Sequence, residues 1–279
     1  MRAHAHAGTL ELPCRRRDSN ADWDVSSYLQ EYYSRVEPTE ALTLRFLLRT
    51  LDQLPPPSRA LEFGAGPTLH HALALCGRAR EIHVADLLSA NLRAIDLWRA
   101  NDSTSHDWSQ FTREILRLED ASIADDAAVA RREALLRRRL TGVLPADARR
   151  VHPLGANCGN YDLVTSFFCA DSSTLSLQEW LDCMRNIMSL VAPGGTLVVG
   201  ALCHCKRWRV GGKQHPSPCI DERHMQFAFD CAGFDRCSQV IEVAAVPDQA
   251  SNGFESILLA SARGPRATGP RSAVCQPRY

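Results

Sequence analysis

The stretch Arg59-Ala-Leu-Glu-Phe-Gly-Ala-Gly-Pro-Thr68 decides the fold of this chain. Its first five residues form a short run typical of a buried strand, and Gly-Ala-Gly then turns the chain toward a helix whose first turn suits Pro67. A second strand at 81–86 ends in Asp86. Glycines let a backbone approach a ligand closely, and a carboxylate at a strand end can accept both hydroxyls of a ribose. The two strand ends therefore predict a nucleoside-binding site.

The glycine turn is unlike that of a dinucleotide-binding protein. Such a turn needs a third glycine at position 69 for the pyrophosphate, and this chain has Leu69 there. The pattern favours a nucleoside-type cofactor with no phosphate to bind. A nicotinamide-dinucleotide oxidoreductase is a distant alternative.

Strands and helices alternate along the rest of the chain, which predicts an α/β fold with a Rossmann-like, seven-stranded, mostly parallel sheet. Because no helix separates the last two strands, the final strand should run antiparallel. The predicted helices are 25–36, 38–53, 67–76, 89–100, 108–118, 123–141, 176–191 and 221–233, and the predicted strands include 59–63, 81–86, 161–168, 196–202, 236–245 and 254–261.

Composition along the chain predicts the domain boundaries. Residues 1–22 lack apolar periodicity and residues 264–279 are rich in Pro, Arg and Ser, so both ends are expected to be disordered tails. Residues 23–57 predict an N-terminal helical cap. The proline run at 55–57 separates this cap from the main domain at 58–263.

The overall composition excludes several classes of function. The chain has 279 residues and a formal net charge of zero, which argues against a nucleic-acid-binding protein. No apolar run is long enough to cross a membrane and the N-terminus lacks the apolar core of a secretory signal, so we expect a cytoplasmic protein without a membrane partner. Its 11 cysteines should be reduced, and the spacing of Cys203-His204-Cys205 is too short for a good zinc chelate. We expect no metal site.

Further motifs accompany the glycine turn in a fixed order. They are Tyr28-Leu-Gln-Glu-Tyr-Tyr33, Glu62-Phe-Gly-Ala-Gly-Pro-Thr68, Asp86 with Asn91-Leu92, Asp107-Trp108, and Leu190-Val-Ala-Pro-Gly-Gly-Thr-Leu-Val-Val199. In order and spacing they resemble the nicotinamide, phenylethanolamine, indolethylamine and thioether methyltransferases, which are class I S-adenosylmethionine-dependent enzymes. The resemblance covers about residues 26–262. It implies S-adenosylmethionine as cofactor, S-adenosylhomocysteine as its product and a small-molecule acceptor, and we expect a monomer.

The resemblance implies that ten residues bind the cofactor. Tyr28 and Tyr33 would close the cap over it, and Tyr28 would also face the acceptor. The other positions are Gly64 and Thr68 at the methionine part, Gly66 in the same glycine turn, Asp86 on the ribose, Asn91 on the adenosine side, Asp147 and Ala148 at the adenine, and Phe167 beside the methionine end.

The chain departs from the family on the acceptor side. His70 stands where the family has an aromatic residue, and a basic run at 203–213 replaces the family's acceptor loop. We expect the loop 203–220, which contains this run, to select the acceptor. Trp208 is suited to stacking on a ring or an amine, and Arg207 and Arg209 to pairing with a carboxylate. A solvated basic loop is the alternative.

Methyl transfer from a sulfonium mainly requires positioning of the nucleophile and needs no metal. A general base is needed only if the nucleophile arrives protonated; Asp171 and His204 are then the candidates, with structural or solvated roles as the alternative. Tyr28 is the third candidate at the reacting centre because it faces the acceptor. The favoured function is methylation of the nitrogen of a small amine, amino acid or heteroaromatic. A small-molecule O- or S-methyltransferase and a non-catalytic cofactor-binding protein are the alternatives.

Overall fold

The computed structural model describes residues 23–155 and 159–266. Its strands are β1 (Arg59–Phe63), β2 (Glu81–Asp86), β3 (Leu140–Pro145), β4 (Tyr161–Phe167), β5 (Val191–Leu202), β6 (Arg207–Val210), β7 (Lys213–Pro216), β8 (Val240–Ala245) and β9 (Ser256–Arg263). Its helices are α1 (Val25–Tyr33), α2 (Pro38–Asp52), α3 (His70–Leu75), α4 (Ser89–Arg99), α5 (Ser109–Glu119), α6 (Asp126–Arg139), α7 (Ala170–Ser173), α8 (Leu177–Met188) and α9 (Glu222–Ala232). The predicted tail at 1–22, and residues 267–279 of the predicted C-terminal tail, lie outside the described residues.

One sheet of seven strands has the order β3-β2-β1-β4-β5-β9-β8. Strands β1 to β5 pair in parallel, whereas β9 runs antiparallel to both β5 and β8. The predicted fold class, a mostly parallel Rossmann-like sheet with an antiparallel C-terminal strand, is therefore confirmed. The strand order reverses between β1 and β4, and in open α/β sheets ligands bind beyond the carboxyl ends of the strands at such a point.

Two hydrophobic clusters form most of the core, one on each face of the sheet. Leu44 of α2 lies in the first cluster, and Trp180 of α8 and Phe229 of α9 lie in the second. Because side chains alternate along a strand, β1 contributes Ala60 to the first cluster and Leu61 to the second. None of the described helices combines the length and the hydropathy that crossing a bilayer requires.

Helix α2 packs into the first hydrophobic cluster of the core. Leu44 and Leu51, which lie seven residues apart on one face of the helix, are almost completely buried among residues of the sheet. Helix α1 buries only Leu29 and Tyr33. The predicted cap at 23–57 thus consists of an outer helix, α1, and an inner helix, α2, that packs with the domain.

One strand was not predicted. The expected helix at 123–141 ends just before Leu140–Pro145, which form β3 at the edge of the sheet. The three arginines at 137–139 continue the polar pattern of α6 up to the strand, and no glycine or proline marks its start. No glycine or proline lies between 126 and 141, so the sequence contains no breaker that would have ended the predicted helix before Gly142.

A β-hairpin was also missed. The expected loop at 203–220 contains β6 and β7, which pair antiparallel. Gly211 and Gly212 join them with φ angles of 56° and 72°, and positive φ at both central residues is what a two-residue hairpin turn of this type requires. The Gly-Gly pair was the signal in the sequence that would have predicted it.

Gly264 and Pro265, near the end of the described residues, are hydrogen-bonded to the turn within β5. The Gly264 amide donates to the Gly195 carbonyl at 2.7 Å, and the Gly194 amide donates to the Pro265 carbonyl at 3.0 Å. Hydrogen bonding to the turn at 194–195 thus continues two residues beyond the predicted domain boundary at 263.

Candidate active site

A cavity of about 570 Å³ opens at the carboxyl ends of β1, β2 and β4, where the strand order reverses. Cavities of this size are typical of small-molecule sites. Residues of α1 and of the β6–β7 hairpin cover its outer side. The ten residues predicted to bind the cofactor all line it: Tyr28, Tyr33, Gly64, Gly66, Thr68, Asp86, Asn91, Asp147, Ala148 and Phe167.

The turn after β1 requires glycine at two positions. Gly64 and Gly66 have φ angles of 72° and 61°, which side chains on L residues disfavour. A Cβ atom on Gly64 would lie 2.2 Å from the Cys169 sulfur, so the close approach of the loop after β4 also excludes a side chain there. A Cβ atom on Gly66 would meet nothing within 4 Å. The backbone at Gly66 therefore faces open space.

Three donors hold the Asp86 carboxylate. Oδ1 accepts from the Leu88 amide at 2.8 Å and from Asn91 Nδ2 at 2.9 Å, and Oδ2 accepts from the Gly66 amide at 2.8 Å. Burial raises the pKa of Asp86, and these hydrogen bonds oppose the rise. Because each carboxylate oxygen has two lone pairs, Oδ1 is saturated and Oδ2 keeps one free position. Asp86 can accept a hydrogen bond from one ribose hydroxyl at the free position of Oδ2. It can accept from the second hydroxyl only if one of its three present hydrogen bonds is broken.

The loop after β3 forms the far end of the cavity. Asp147 accepts a bidentate pair from Arg149, with Nε–Oδ1 at 2.8 Å and Nη2–Oδ2 at 3.0 Å. The hydrogen bond from Arg149 lowers the pKa of Asp147. The Ala148 carbonyl accepts from Asn186 Nδ2 at 2.8 Å. The positive charge of Arg149 is thus already paired with a carboxylate.

A buried chain of hydrogen bonds lies beneath the glycine turn. His71 Nδ1 lies 3.1 Å from Glu62 Oε1, and His71 Nε2 lies 3.2 Å from Thr43 Oγ1. Since the Thr43 hydroxyl donates its proton to the Glu40 carbonyl at 2.9 Å, its oxygen accepts from His71 Nε2. Burial raises the pKa of Glu62 to about 8 and lowers the pKa of His71 to about 3. The pair is therefore neutral, and the protonated Glu62 donates to His71 Nδ1.

The tyrosines of α1 enclose the cavity in neutral form. The Tyr28 and Tyr33 hydroxyls lie 3.5 Å apart, and the ring of Trp23 lies 4.8 Å from that of Tyr28. Burial raises the pKa of Tyr28 to about 12 and that of Tyr33 well above its usual value. Neither hydroxyl is ionised near neutral pH, so Tyr28 offers the cavity a ring face and a neutral hydroxyl.

The hairpin brings one of the three predicted acceptor residues into the cavity. Trp208 lines it, with its ring stacked on His215 at 4.7 Å. Arg207 and Arg209 flank Trp208 on β6, and since side chains alternate along a strand they lie on the other side, where both are exposed. Neither arginine is among the residues that line the cavity.

Contacts between α1 and the hairpin hold the two covers together. The Tyr32 hydroxyl donates to the Arg209 carbonyl. The Gly211 amide donates to Glu31 Oε2 at 2.9 Å. Helix α1 and the β6–β7 hairpin, which together cover the cavity, are therefore hydrogen-bonded to each other.

The two predicted base candidates lie away from the cavity lining. Asp171 on α7 is 1% exposed and accepts from the Leu202 amide at 2.9 Å, which fixes the end of β5, and burial raises its pKa to about 7. His204 is exposed. Its side chain lies close to Cys203 and Glu222, whose ligand atoms and its own all lie within 4.8 Å of one another. Of the three predicted catalytic residues, Tyr28 alone lines the cavity.

Two residues of α2 line the cavity and were not predicted. Thr39 and Glu40 lie at the start of the helix, and both are more than nine-tenths buried. Glu40 shares the buried face with Leu44 and Leu47, at i+4 and i+7. That spacing was available in the sequence as a carboxylate on an apolar helix face.

Four buried polar atoms around the cavity have no hydrogen-bond partner within the described part of the chain. They are Thr39 Oγ1, Glu40 Oε2, His70 Nδ1 and Trp208 Nε1. Burial lowers the pKa of His70 well below its usual value, so its ring is neutral. Most buried polar groups in proteins are satisfied. Four of the seven unsatisfied atoms in the described residues belong to residues that line this cavity, where a bound ligand or water would complete their hydrogen bonds.

Comparison with known proteins gives one family. A family model described as the NNMT/PNMT/TEMT family matches residues 14–263. Phenylethanolamine N-methyltransferase of Rattus norvegicus is 28% identical over 180 residues, 63% of this chain and 61% of that protein, so the match spans less than two thirds of its length. Indolethylamine N-methyltransferase of Mus musculus is 27% identical over 224 residues, 77% of this chain and 83% of that protein. Nicotinamide N-methyltransferase of Homo sapiens is 27% identical over 216 residues, 74% of this chain and 80% of that protein.

Solved structures agree on the fold. The N-methyltransferase NodS from Bradyrhizobium japonicum WM9 aligns with a TM-score of 0.51 and 17% identity, over 82% of this chain and 98% of that chain. At this level of identity the likeness concerns the fold alone.

Proposed function

Because this chain belongs to the NNMT/PNMT/TEMT family, we propose that it transfers the methyl group of S-adenosylmethionine to the nitrogen of a small amine, amino acid or heteroaromatic metabolite. One observation carries the proposal. A single cavity collects the ten residues predicted for the cofactor and, beside them, a set of aromatic and acidic side chains that are left for an acceptor. We further propose a monomeric, cytoplasmic enzyme of small-molecule metabolism.

The cavity fits the charge and shape of S-adenosylmethionine. Asp86 Oδ2 has a free acceptor position for a ribose hydroxyl, and the backbone at Gly66 faces open space. Arg149 is the one Lys or Arg residue among the described residues that line the cavity, and it is paired with Asp147. A sulfonium would thus meet no free cation, and aromatic faces such as that of Tyr28 attract a positive charge.

When bound, the cofactor supplies a methyl carbon attached to a positively charged sulfur, which is displaced in line by the acceptor nitrogen. The chain's own residues position the two partners. Alignment of this kind contributes about 7–11 kcal/mol to the lowering of a barrier. Helix α1 and the β6–β7 hairpin cover the cavity and exclude water, which would otherwise compete with the acceptor. Tyr28 contributes a ring face at the reacting centre and, being neutral, does not act as a base.

The test measures cofactor binding and transfer separately. Calorimetry with S-adenosylhomocysteine reports binding, and methyl-labelled S-adenosylmethionine reports transfer to panels of amines, alcohols and thiols. We expect binding, and label in the amine panel. Lack of binding would overturn the cofactor assignment. Label in the alcohol or thiol panel alone would overturn the nitrogen assignment.

A further inference from the structure

We propose that Glu40, with Thr39 and Trp208, forms the acceptor-binding part of the cavity and that the group it takes is a protonated primary or secondary amine, held by the Glu40 carboxylate. This inference rests on the proposed methyl transfer to nitrogen and names the acceptor's chemistry. It places acceptor recognition on the buried start of α2, outside the basic loop 203–220 to which the sequence pointed.

The unsatisfied atoms at this place carry the inference. Glu40 is 8% exposed and Thr39 is 3% exposed, and Glu40 Oε2 and Thr39 Oγ1 have no hydrogen-bond partner among the described residues. Trp208 Nε1 is buried and unsatisfied at the same cavity. A carboxylate held by the core helix α2 is a preorganised acceptor. Glu40 Oε2 and Thr39 Oγ1 can accept from a ligand that donates, whereas the Trp208 Nε1–H would need an acceptor atom elsewhere on the ligand.

The surroundings of Glu40 favour a cation. The rings of Tyr28, Tyr32 and Trp208 line the same cavity and offer aromatic faces. The guanidinium that lines it, Arg149, is paired with Asp147 on the adenine side. An acceptor with its own carboxylate would be repelled by Glu40 and would find no free cation among the described residues of the lining. The structure thus favours an amine without a carboxylate.

Glu40 is also suited to take the proton that the amine must lose. Burial raises the pKa of Glu40 to about 8, and the charges of Glu37 and Asp248 add to the rise; a bound ammonium favours the charged form and so ionises Glu40 in the complex. The hydroxyls of Tyr28 and Tyr33, which face it from α1, are neutral. In the step, an N–H bond of the ammonium breaks and an O–H bond forms on Glu40, which leaves a neutral amine with a free electron pair and a carboxylic acid. The acid returns its proton to solvent after the product leaves.

The test compares Glu40→Gln with two controls. Glu37→Gln removes a nearby carboxylate outside the cavity lining, and Glu40→Asp keeps the charge. Benzylamine, 2-phenylethylamine and tryptamine are each paired with the analogue that carries an α-carboxylate, namely phenylglycine, phenylalanine and tryptophan. Calorimetry in the presence of S-adenosylhomocysteine measures amine binding, and steady-state kinetics measure KM, kcat and their pH profiles.

We expect Glu40→Gln to weaken binding of the best amine about tenfold to a hundredfold, as loss of a charged hydrogen bond does, with the Kd for S-adenosylhomocysteine unchanged. It should also move the rise of kcat/KM with pH from the pKa of Glu40 to that of the free amine, and Glu40→Asp should restore part of the binding and part of the wild-type profile. Unchanged amine binding in Glu40→Gln, or a preference of the wild type for the carboxylate analogues, would overturn the inference. Amine binding without transfer in the wild type would overturn the proposed function and leave this site standing; neither binding nor transfer of any amine would overturn both.

Discussion

Trp23 Nε1 donates a hydrogen bond of 2.8 Å to Asn91 Oδ1, which links the segment before α1 to the end of the cavity that we propose holds the ribose. The other end of the Asn91 amide donates to Asp86 Oδ1 at 2.9 Å. The amide therefore joins the outer cover of the cavity to the carboxylate that is assigned to the ribose. Through this link, the position of the cover and the orientation of Asp86 depend on each other.

Replacement of Trp23, which itself lines the cavity, by Phe should weaken cofactor binding because Asn91 loses a hydrogen bond. Phe retains the contact with the Tyr28 ring but cannot donate to Asn91, so the amide loses one of its two anchors. We expect a severalfold increase in the Kd for S-adenosylhomocysteine, since one hydrogen bond contributes about 0.5–1.5 kcal/mol. Calorimetry measures it, with Trp180→Phe, on the opposite face of the sheet, as the control. Equal affinity of Trp23→Phe and wild type would show that the link does not orient Asp86.

Replacement of Asp86 by Ala should weaken binding of S-adenosylhomocysteine about tenfold to a hundredfold, because a charge-assisted hydrogen bond is lost. The change also leaves the Gly66 amide and Asn91 Nδ2 without their acceptor. Asp86→Asn keeps one carbonyl oxygen, so its affinity for S-adenosylhomocysteine should lie between the affinities of the wild type and of Asp86→Ala. Calorimetry measures the Kd and circular dichroism checks the fold. A well-folded Asp86→Ala variant with wild-type affinity would remove Asp86 from the site.

Helix α1 should gain protection from hydrogen exchange when S-adenosylhomocysteine binds. The helix covers the cavity through Tyr28 and Tyr33, yet it buries only two of its side chains in the protein. A ligand beneath it adds contacts that its own packing does not supply. Exchange at 25–33 is compared with and without ligand, with α2 as the internal reference. Identical exchange in both states would mean that α1 is simply a packed surface helix.

The Glu62–His71 pair should give the protein a stability maximum between about pH 4.5 and 6.5. The pKa of Glu62 is raised to about 8, so this residue's contribution is present below its unfolded value and is lost as the pH rises toward 8. The pKa of His71 is lowered to about 3, so its contribution is lost as the pH falls below 6.5. Between about pH 4.5 and 6.5 the folded and unfolded states each bind one proton at the pair. The pair's contribution to the free energy of unfolding therefore does not change with pH in this range.

Denaturant unfolding at pH 4, 5.5 and 8 tests this pair. Glu62→Gln cannot lose a proton, so the difference in the free energy of unfolding between wild type and variant should change between pH 5.5 and 8. Glu40→Gln should show a pH-dependent difference of its own, since the pKa of Glu40 is also raised to about 8. A difference between wild type and Glu62→Gln that does not vary with pH would show that Glu62 is ionised in the folded protein.

Chelators should leave methyl transfer unchanged, because the displacement needs no Lewis acid. Cys203, His204 and Glu222 bring three possible ligand atoms together, but none of the three lines the cavity. Activity is compared before and after dialysis against EDTA, with elemental analysis of the protein. Stoichiometric zinc whose removal abolishes transfer would contradict this expectation.

The residues predicted to bind the cofactor line one cavity, and this grouping followed from motifs whose parts are local in sequence. A strand, a glycine turn and a terminal Asp86 keep their relation in any such sheet, and the family resemblance on which the remaining positions depended is confirmed. The place of Glu40 in the cavity depends on the burial of α2, and the apolar spacing around Glu40 was the one signal of that burial in the sequence. His71 and Glu62 lie nine residues apart, yet their neutral state follows from burial that no spacing reveals. Trp208 lines the cavity, whereas Arg207 and Arg209 do not, because their side chains lie on the other side of β6, in a hairpin that was predicted as a loop.

Alternation along β6 predicts opposite results for Trp208 and its two neighbours. Trp208→Ala should raise KM for the acceptor and leave the Kd for S-adenosylhomocysteine unchanged, since it removes a ring and an Nε1 donor from the cavity. Arg207→Ala and Arg209→Ala remove exposed charges on the other side of the hairpin, and exposed charges contribute little. Both arginine variants should keep wild-type KM for amines and for their carboxylate analogues. If instead they lose activity toward the carboxylate analogues alone, the basic face of the hairpin reaches the acceptor, and recognition through Glu40 would not be sufficient.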